Sequence, residues 1–283
     1  MNIFSAAAKD RRISSKELAG AYRETSNLYP FVPSMSIWRA WELAAYRRYT
    51  LHDPILDVGC GDGLYFKLVW PSVRQVTGVD INPDSIKAAK RSGVYQSVHE
   101  CSALDMPFQA NSFSSAFANC SLEHMDDLPG VMSSIARVLK PGGGLLCSVV
   151  TDKFIKWSMI PLLAEAMGDA KNAQRLKTQY LRYHHLVSAL LPDGWISQFE
   201  AAGFEVIEHI PIMPELLGRL FMFIDTLWHL PHGEAEVGDM LVPHFQKWRN
   251  FPEAIGELML TLLKAEPDWT AACGAVFYAR KRG

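Results

Sequence analysis

A buried strand that turns into a helix through alternating glycines, with a carboxylate closing the next strand, leaves few folds open. Here Pro54-Ile55-Leu56-Asp57-Val58 reads as a short buried strand, and Gly59-Cys60-Gly61-Asp62-Gly63 follows it directly. Glycines at such a turn let the backbone approach a ligand closely and take dihedrals that a side chain would forbid. The helix after the turn offers free N–H groups to an anion such as a carboxylate. Val73 to Asp80 reads as a second strand, ending on an acidic residue 21 positions after Gly59. In open α/β sheets a carboxylate so placed reaches ribose hydroxyls, and ligands sit beyond the carboxyl ends of the strands. The pattern asks for an adenosine-type ligand with its ribose on Asp80. A dinucleotide fingerprint would need a glycine where Leu64 stands, whereas the spacing here is G-x-G-x-G.

The alternation continues. Pro83 to Arg91 reads as a helix with proline near its start, where the missing N–H costs little. Ser97 to Cys101 and Ser115 to Asn119 read as strands. Asp127 to Leu139 is a helix closed by Lys140-Pro141-Gly142, and Gly144 to Val150 is an apolar strand. Strands alternating with helices imply an α/β fold, a parallel sheet covered on both faces. Ahead of it, Lys16 to Tyr49 carries apolar residues at helical spacing broken by Pro30 and Pro33, which predicts two helices. Past residue 150, helical patterns run from Phe154 to Tyr183. Pro192 to Ala202 then reads as a helix stopped by Gly203, with Phe204 to Ile210 as a strand. A long stretch from Pro211 to Asp268 precedes a last strand, Ala275 to Arg280. Structureless loops of that length are uncommon, so the stretch reads as a helical insertion. The expected division is an N-terminal helical cap over 1–54, a core over 55–150, and helical additions with the last two strands over 151–283.

A net charge of −2 and a pI near 6.5 give no electrostatic reason to expect a nucleic-acid backbone as partner. The five cysteines show no C-x-x-C spacing, and an odd, scattered set suits a reducing compartment. Met1 to Arg12 lacks the apolar stretch of a signal peptide. The longest apolar candidate, Leu216 to Leu230, is interrupted by Arg219 and Asp225 and is too short to span a bilayer. A cytoplasmic protein is the expectation. Within that candidate, Phe221, Ile224, Leu227 and Trp228 recur at helical spacing. Such a stripe is more often core than membrane-binding, although a membrane-surface acceptor would suit interfacial docking. His229 and His232 enclose a Leu-Pro pair that spoils ligand alignment, and no carboxylate or cysteine cluster completes a set, so no metal is expected.

Four stretches between residues 55 and 150 are ILDVGCGDG, VTGVDINPDSIKAAK, ALDMPFQANSFSSAFANCSLEH and ARVLKPGGGLL. Their order and spacing resemble the class I S-adenosylmethionine-dependent methyltransferases, in the subgroup called methyltransferase type 11, over about a third of the chain. The resemblance implies a Rossmann-like, seven-stranded, mostly parallel sheet whose last strand is antiparallel, with Phe204 to Ile210 and Ala275 to Arg280 as the final two strands. It implies S-adenosylmethionine as cofactor and S-adenosylhomocysteine as product. Carried over by position, Asp57 and the loop Gly59-Cys60-Gly61 would face the methionine end, Asp80 would hold the ribose, and Ile81 would pack on the adenine. Where the family often has an acidic residue for the adenine amino group, this chain has Ser102. Recognition would then fall to that hydroxyl, to backbone groups of Ala103 and to packing by Leu104. Asp105 is a tempting substitute but reads equally as a solvated loop carboxylate. Asn119 ends the fourth strand, and its carbonyl would border the sulfonium. Glu123-His124 also matches. His124 could serve as a base, although such histidines more often shape the loop or cap the next helix.

Methyl transfer requires that a nucleophile be aligned with an already activated methyl group, and orientation alone can supply about 7–11 kcal/mol. A hydroxyl acceptor would also need a base. After the fourth strand stands Asn119-Cys120-Ser121-Leu122, not the Asn/Asp-Pro-Pro-Tyr/Phe of amino-group methyltransferases, and no Pro-Cys pair of the cytosine-C5 type occurs. With the acidic pI, this points to a small-molecule, lipid-like or glycan-precursor acceptor. Candidate pocket residues are Tyr22, Tyr29, Trp38 and Arg39 in the N-terminal helices. Beyond residue 150 they are Trp157, Tyr183, His184, His185, Trp195, Phe221, Phe223, Trp228 and His229. Most would serve equally as core. Imidazole is a suitable base, but of the adjacent His184 and His185 at most one can face the site. The alternatives are a cofactor-binding regulatory or scaffolding protein without turnover, and an RNA methyltransferase, which would show a contiguous basic face beside the pocket.

Overall fold

The computed structural model describes residues 12–266 and 269–283, and opens on two helices, α1 (Ser15–Leu28) and α2 (Pro33–Tyr46). Ser14 and Glu17 form a capping box at α1, and Pro33 begins α2 where its missing N–H costs nothing. The core follows as β1 (Ile55–Val58), α3 (Leu64–Val69), β2 (Val76–Asp80), α4 (Pro83–Ser92) and β3 (Ser97–Glu100). It continues through β4 (Phe113–Asn119), a single 3-10 turn (Leu122–His124), α5 (Leu128–Val138) and β5 (Leu139–Val150). Four helices come next: α6 (Asp152–Lys156), α7 (Met159–Ala166), α8 (Ala170–Tyr183) and α9 (Pro192–Ala201). After β6 (Phe204–Pro214) come α10 (Glu215–Trp228), a small hairpin of β7 (Pro231–His232) and β8 (Ala235–Glu236), α11 (Val237–Phe245), α12 (Phe251–Ala265) and β9 (Ala272–Lys281). The stretch expected to be a helical insertion is therefore helical, with the hairpin as an addition that two-residue strands do not announce.

Seven strands form one sheet in the order β3-β2-β1-β4-β5-β9-β6. Strands β1 to β5 pair in parallel, and β9 runs antiparallel to both of its neighbours. This is the expected Rossmann-like sheet with an antiparallel last strand. The chain steps outward from β1 to β2 and β3, then returns to the other side of β1. At such a reversal a crevice opens beyond the carboxyl ends of the two central strands.

Alternate strand residues feed opposite faces. Leu146 and Ile55 belong to one apolar cluster, with Trp41 and Tyr46 of α2, Phe66 of α3, Met222 of α10 and Met259 of α12. Leu145, Cys147 and Leu56 belong to the other, with Ile135 of α5 and Trp195 and Phe199 of α9. The N-terminal helices and the late helices α10 and α12 thus share one core on one face of the sheet. Among the described residues no helix is long and apolar enough to cross a membrane.

A buried charge ties the late helices to the segment that reaches the crevice. Asp225 of α10 lies 3.2 Å from His184 Nε2, at the end of α8, and 3.6 Å from His229 Nε2, and accepts a hydrogen bond from Tyr180 at 3.1 Å. His229 also meets Glu236 of the hairpin at 2.9 Å. Burial alone would raise the Asp225 carboxyl, but the hydrogen bonds and charges of the two histidines outweigh it and hold the group well below the usual carboxylate range. For His229, burial opposes the charge while Asp225 and Glu236 prevail and raise its pKa. Removing one partner of a buried pair costs about 3–5 kcal/mol, so Asp225→Ala should destabilise the fold by that order in urea unfolding. His229, being raised, contributes stability that is complete below its unfolded pKa of about 6.5 and is lost as pH rises through the folded value. The deficit of Asp225→Ala should therefore narrow as pH rises above about 6.5; a deficit that widens would contradict the pairing.

Candidate active site

Two cavities open at the carboxyl ends of the central strands, and Gly59 lines both. The larger, of about 440 Å³, runs past Asp80, Ile81, the Ser102–Leu104 segment and Cys120. The smaller, of about 130 Å³, lies between Asp57, the glycine turn, Arg39 and Asn119. The turn is pinned from behind: the N–H groups of Gly59 and Cys60 donate to the Val79 carbonyl at 2.8 and 3.0 Å. Gly59 has φ of 73°, and a Cβ there would stand 2.7 Å from Ser121 Cβ. Only glycine fits.

Asp80 ends β2 with both oxygens engaged by backbone. Oδ2 accepts from the Gly61 N–H at 2.9 Å and Oδ1 from the Asn82 N–H at 2.8 Å. A carboxylate has lone pairs left for further donors. Beside it Ile81 is 73% exposed and Leu104 44% exposed, two large apolar side chains left uncovered at the wall of the larger cavity. The Ser102 hydroxyl accepts from the Leu104 N–H at 3.2 Å, which shapes that wall. Asp105 is exposed and lines neither cavity.

Asp57 is buried in β1 and accepts a 2.6 Å hydrogen bond from the Tyr95 hydroxyl, which also reaches the Cys60 carbonyl at 3.2 Å. Burial pushes the Asp57 carboxyl up to about 7; the Tyr95 bond opposes the rise and nearby Asp80 adds to it. Across the small cavity stands Arg39 of α2, its guanidinium 5.0 Å from the Tyr65 ring centre and its Nε buried without a hydrogen-bond partner. A buried carboxyl group and a guanidinium thus face one small space. That pairing matches an amino-acid zwitterion.

Asn119 also lines the small cavity, its side-chain oxygen accepting from the Tyr46 hydroxyl at 2.9 Å. His124 lines the larger one, with Nδ1 at 3.2 Å from the His185 carbonyl. Burial lowers its pKa, so the ring is held neutral. His185 comes to the same cavity, whereas its neighbour His184 turns to Asp225. Glu123 points into the core, lines neither cavity, and is pushed up to about 8 by burial. Of the proposed acceptor-side aromatics, Tyr29 lines the small cavity. Tyr22 and Trp157 line neither, because both are packed inside: Tyr22 donates to the Pro252 carbonyl at 2.9 Å, and Trp157 fills the space over Gly218. Tyr183 lies outside the crevice, bonded to His229 at 2.6 Å. Tyr95 escapes sequence reasoning altogether; its signal is indirect, in Gly63, where a Cβ would strike its ring.

A family described as a methyltransferase domain, of type 11, matches residues 56–147. The chain is 25% identical over 232 residues to a demethylmenaquinone methyltransferase of Symbiobacterium thermophilum, covering 75% of this chain and 91% of that one. It is 34% identical over 105 residues to a ubiquinone biosynthesis O-methyltransferase of Xanthomonas oryzae pv. oryzae, covering 34% of this chain and 42% of that one. Of several other curated relatives it likewise spans about half the length. The fold is similar to that of a solved S-adenosylmethionine-dependent methyltransferase from Thermotoga maritima, with a TM-score of 0.53, 17% identity, and 94% of this chain and 100% of that one covered. Sheet order, domain match and relatives named for methyl transfer lead to one conclusion: the chain carries a class I S-adenosylmethionine-dependent methyltransferase domain, with S-adenosylmethionine as its cofactor.

Proposed function

We propose that this enzyme transfers the methyl group by direct displacement to a small-molecule or lipid-like acceptor. The observation that carries the site assignment is the meeting of two chemically different cavities at Gly59. Asp80 holds the ribose in the larger one, where Ile81, Ser102, Ala103 and Leu104 form the adenine wall. Asp57 and the Gly59-Cys60-Gly61 turn face the ammonium side of the methionine end, and Arg39 its carboxylate, for which a charged fork is the best partner. Asn119 borders the reacting centre. When bound, the cofactor supplies a methyl group already activated on positive sulfur.

The protein's own contribution is therefore placement and exclusion of water. Neutral His124 shapes the rim with His185, and with Nδ1 turned to a carbonyl it keeps Nε2 as a proton acceptor for a hydroxyl substrate. The N-terminal helices act as a cap, since α2 supplies Arg39 from above the small cavity. The acceptor class is supported by the relatives named for demethylmenaquinone and ubiquinone biosynthesis and by a net charge of −2.

The test is incubation of the enzyme with methyl-labelled S-adenosylmethionine and a cell extract split into solvent-extractable, aqueous small-molecule and RNA fractions. Label in either small-molecule fraction supports the proposal. Label confined to RNA, or cofactor binding without transfer to any fraction, overturns it.

A further inference from the structure

We propose that Glu42, a residue of α2 outside every stretch that resembles the family, is a positioning residue for the transfer site: one carboxylate oxygen aims Arg39 at the cofactor's amino-acid end, and the other fixes the loop residue Cys120. The inference rests on the reading above, in which the small cavity takes that end of the cofactor.

Glu42 is wholly buried. Its Oε2 takes Arg39 NH1 at 2.6 Å. Its Oε1 accepts from Ser148 Oγ at 2.7 Å, Trp38 Nε1 at 2.8 Å and Cys120 Sγ at 2.9 Å. An ion pair in a core is seldom more stable than apolar residues of the same size, while one stripped of its partner is strongly destabilising. Stability is thus a weak reason for a carboxylate here. Placement is a stronger one, and both ends of the network reach the crevice.

Arg39 is the first end. With NH1 tied to Glu42 and the guanidinium laid against Tyr65, its buried Nε keeps a free donor beside the small cavity. A fork fixed at one tine presents the rest in a set direction, so less freedom is lost when an anion arrives. Cys120 is the second end. Its φ is 44°, a conformation that residues other than glycine seldom adopt. Its N–H donates to Ser148 Oγ at 3.0 Å and its thiol to Glu42. The residue directly after Asn119 is thereby clamped at backbone and side chain where it lines the larger cavity.

The experiment is calorimetric titration of the full chain with S-adenosylhomocysteine, which carries the amino-acid end, and with 5′-methylthioadenosine, which lacks it. Glu42→Gln keeps the size and one acceptor oxygen but removes the charge that orients Arg39. Affinity for S-adenosylhomocysteine should fall about tenfold or more, while that for methylthioadenosine changes by less than about twofold. Equal losses for both ligands would mark general damage and overturn the proposal, as would unchanged S-adenosylhomocysteine affinity. A wild-type chain that binds both ligands equally, or neither, would instead sink the cavity assignment on which the proposal rests. Should Glu42→Gln fail to fold, Arg39→Met combined with Glu42→Leu leaves no charge buried alone. Selective loss of S-adenosylhomocysteine in that variant supports the pair's role, and full retention overturns it.

Discussion

Valine at Gly59 should cost the enzyme its cofactor, lowering S-adenosylhomocysteine affinity by more than about a hundredfold. Two penalties combine at this position. The backbone sits at φ of 73°, where a β-branched residue pays about 1–3 kcal/mol of strain. A Cβ would also enter within 2.7 Å of Ser121 Cβ, and Ser121 cannot retreat freely because its hydroxyl donates to the Val58 carbonyl at 2.8 Å. Overpacking of this kind costs about another 1–3 kcal/mol. The turn can relieve both only by moving away from Ser121, and Gly59 forms the wall shared by the two cavities, so relief closes the site. Gly61→Ala is the informative comparison. Its φ is 55°, but an added Cβ meets nothing within 4 Å, so it pays the backbone penalty alone and should lose far less. Titration of both variants, with thermal melts to confirm that each is folded, checks the prediction. Near-native affinity in Gly59→Val would mean the turn is not the cofactor's floor.

What the sequence made legible was whatever is local. The strand, the glycine turn and Asp80 lie within one short segment, so hydrophobic runs and turn chemistry announce them together. The rest of the candidate site is assembled by tertiary packing. Arg39 is among the candidate pocket residues of the N-terminal helices, but apolar spacing identifies its helix only as something that packs, and nothing in the sequence assigns Arg39 to the glycine turn or singles out Glu42. Tyr95 reaches Asp57 from the loop before β3, with no motif to mark it. Aromatic density after residue 150 is ambiguous for a physical reason: a stripe at helical spacing serves a core and a pocket equally well. Here Phe154 and Phe221 pack against each other and against Trp38, and Trp157 lies in the same buried cluster. Asp225 shows the same limit, since a charge interrupting an apolar run looks like a solvated break until His184 and His229 are seen beside it.

Asp80→Ala should weaken S-adenosylhomocysteine binding by about 3 kcal/mol, the worth of roughly two charged hydrogen bonds, or somewhat over a hundredfold in affinity. The geometry warns that the carboxylate has two tasks. Besides facing the larger cavity, it holds the Gly61 and Asn82 N–H groups at 2.9 and 2.8 Å, bracing the glycine turn against the start of α4. Simple loss of affinity would follow from either task. A 2′,3′-dideoxy analogue of S-adenosylhomocysteine separates them, because it lacks only the hydroxyls that Asp80 is assigned to hold. The wild-type chain should prefer the natural ligand, and Asp80→Ala should have lost most of that preference, the signature of two groups that interact directly. If the variant discriminates between the two ligands as sharply as the wild type, the carboxylate braces the loop and the ribose is held by something else.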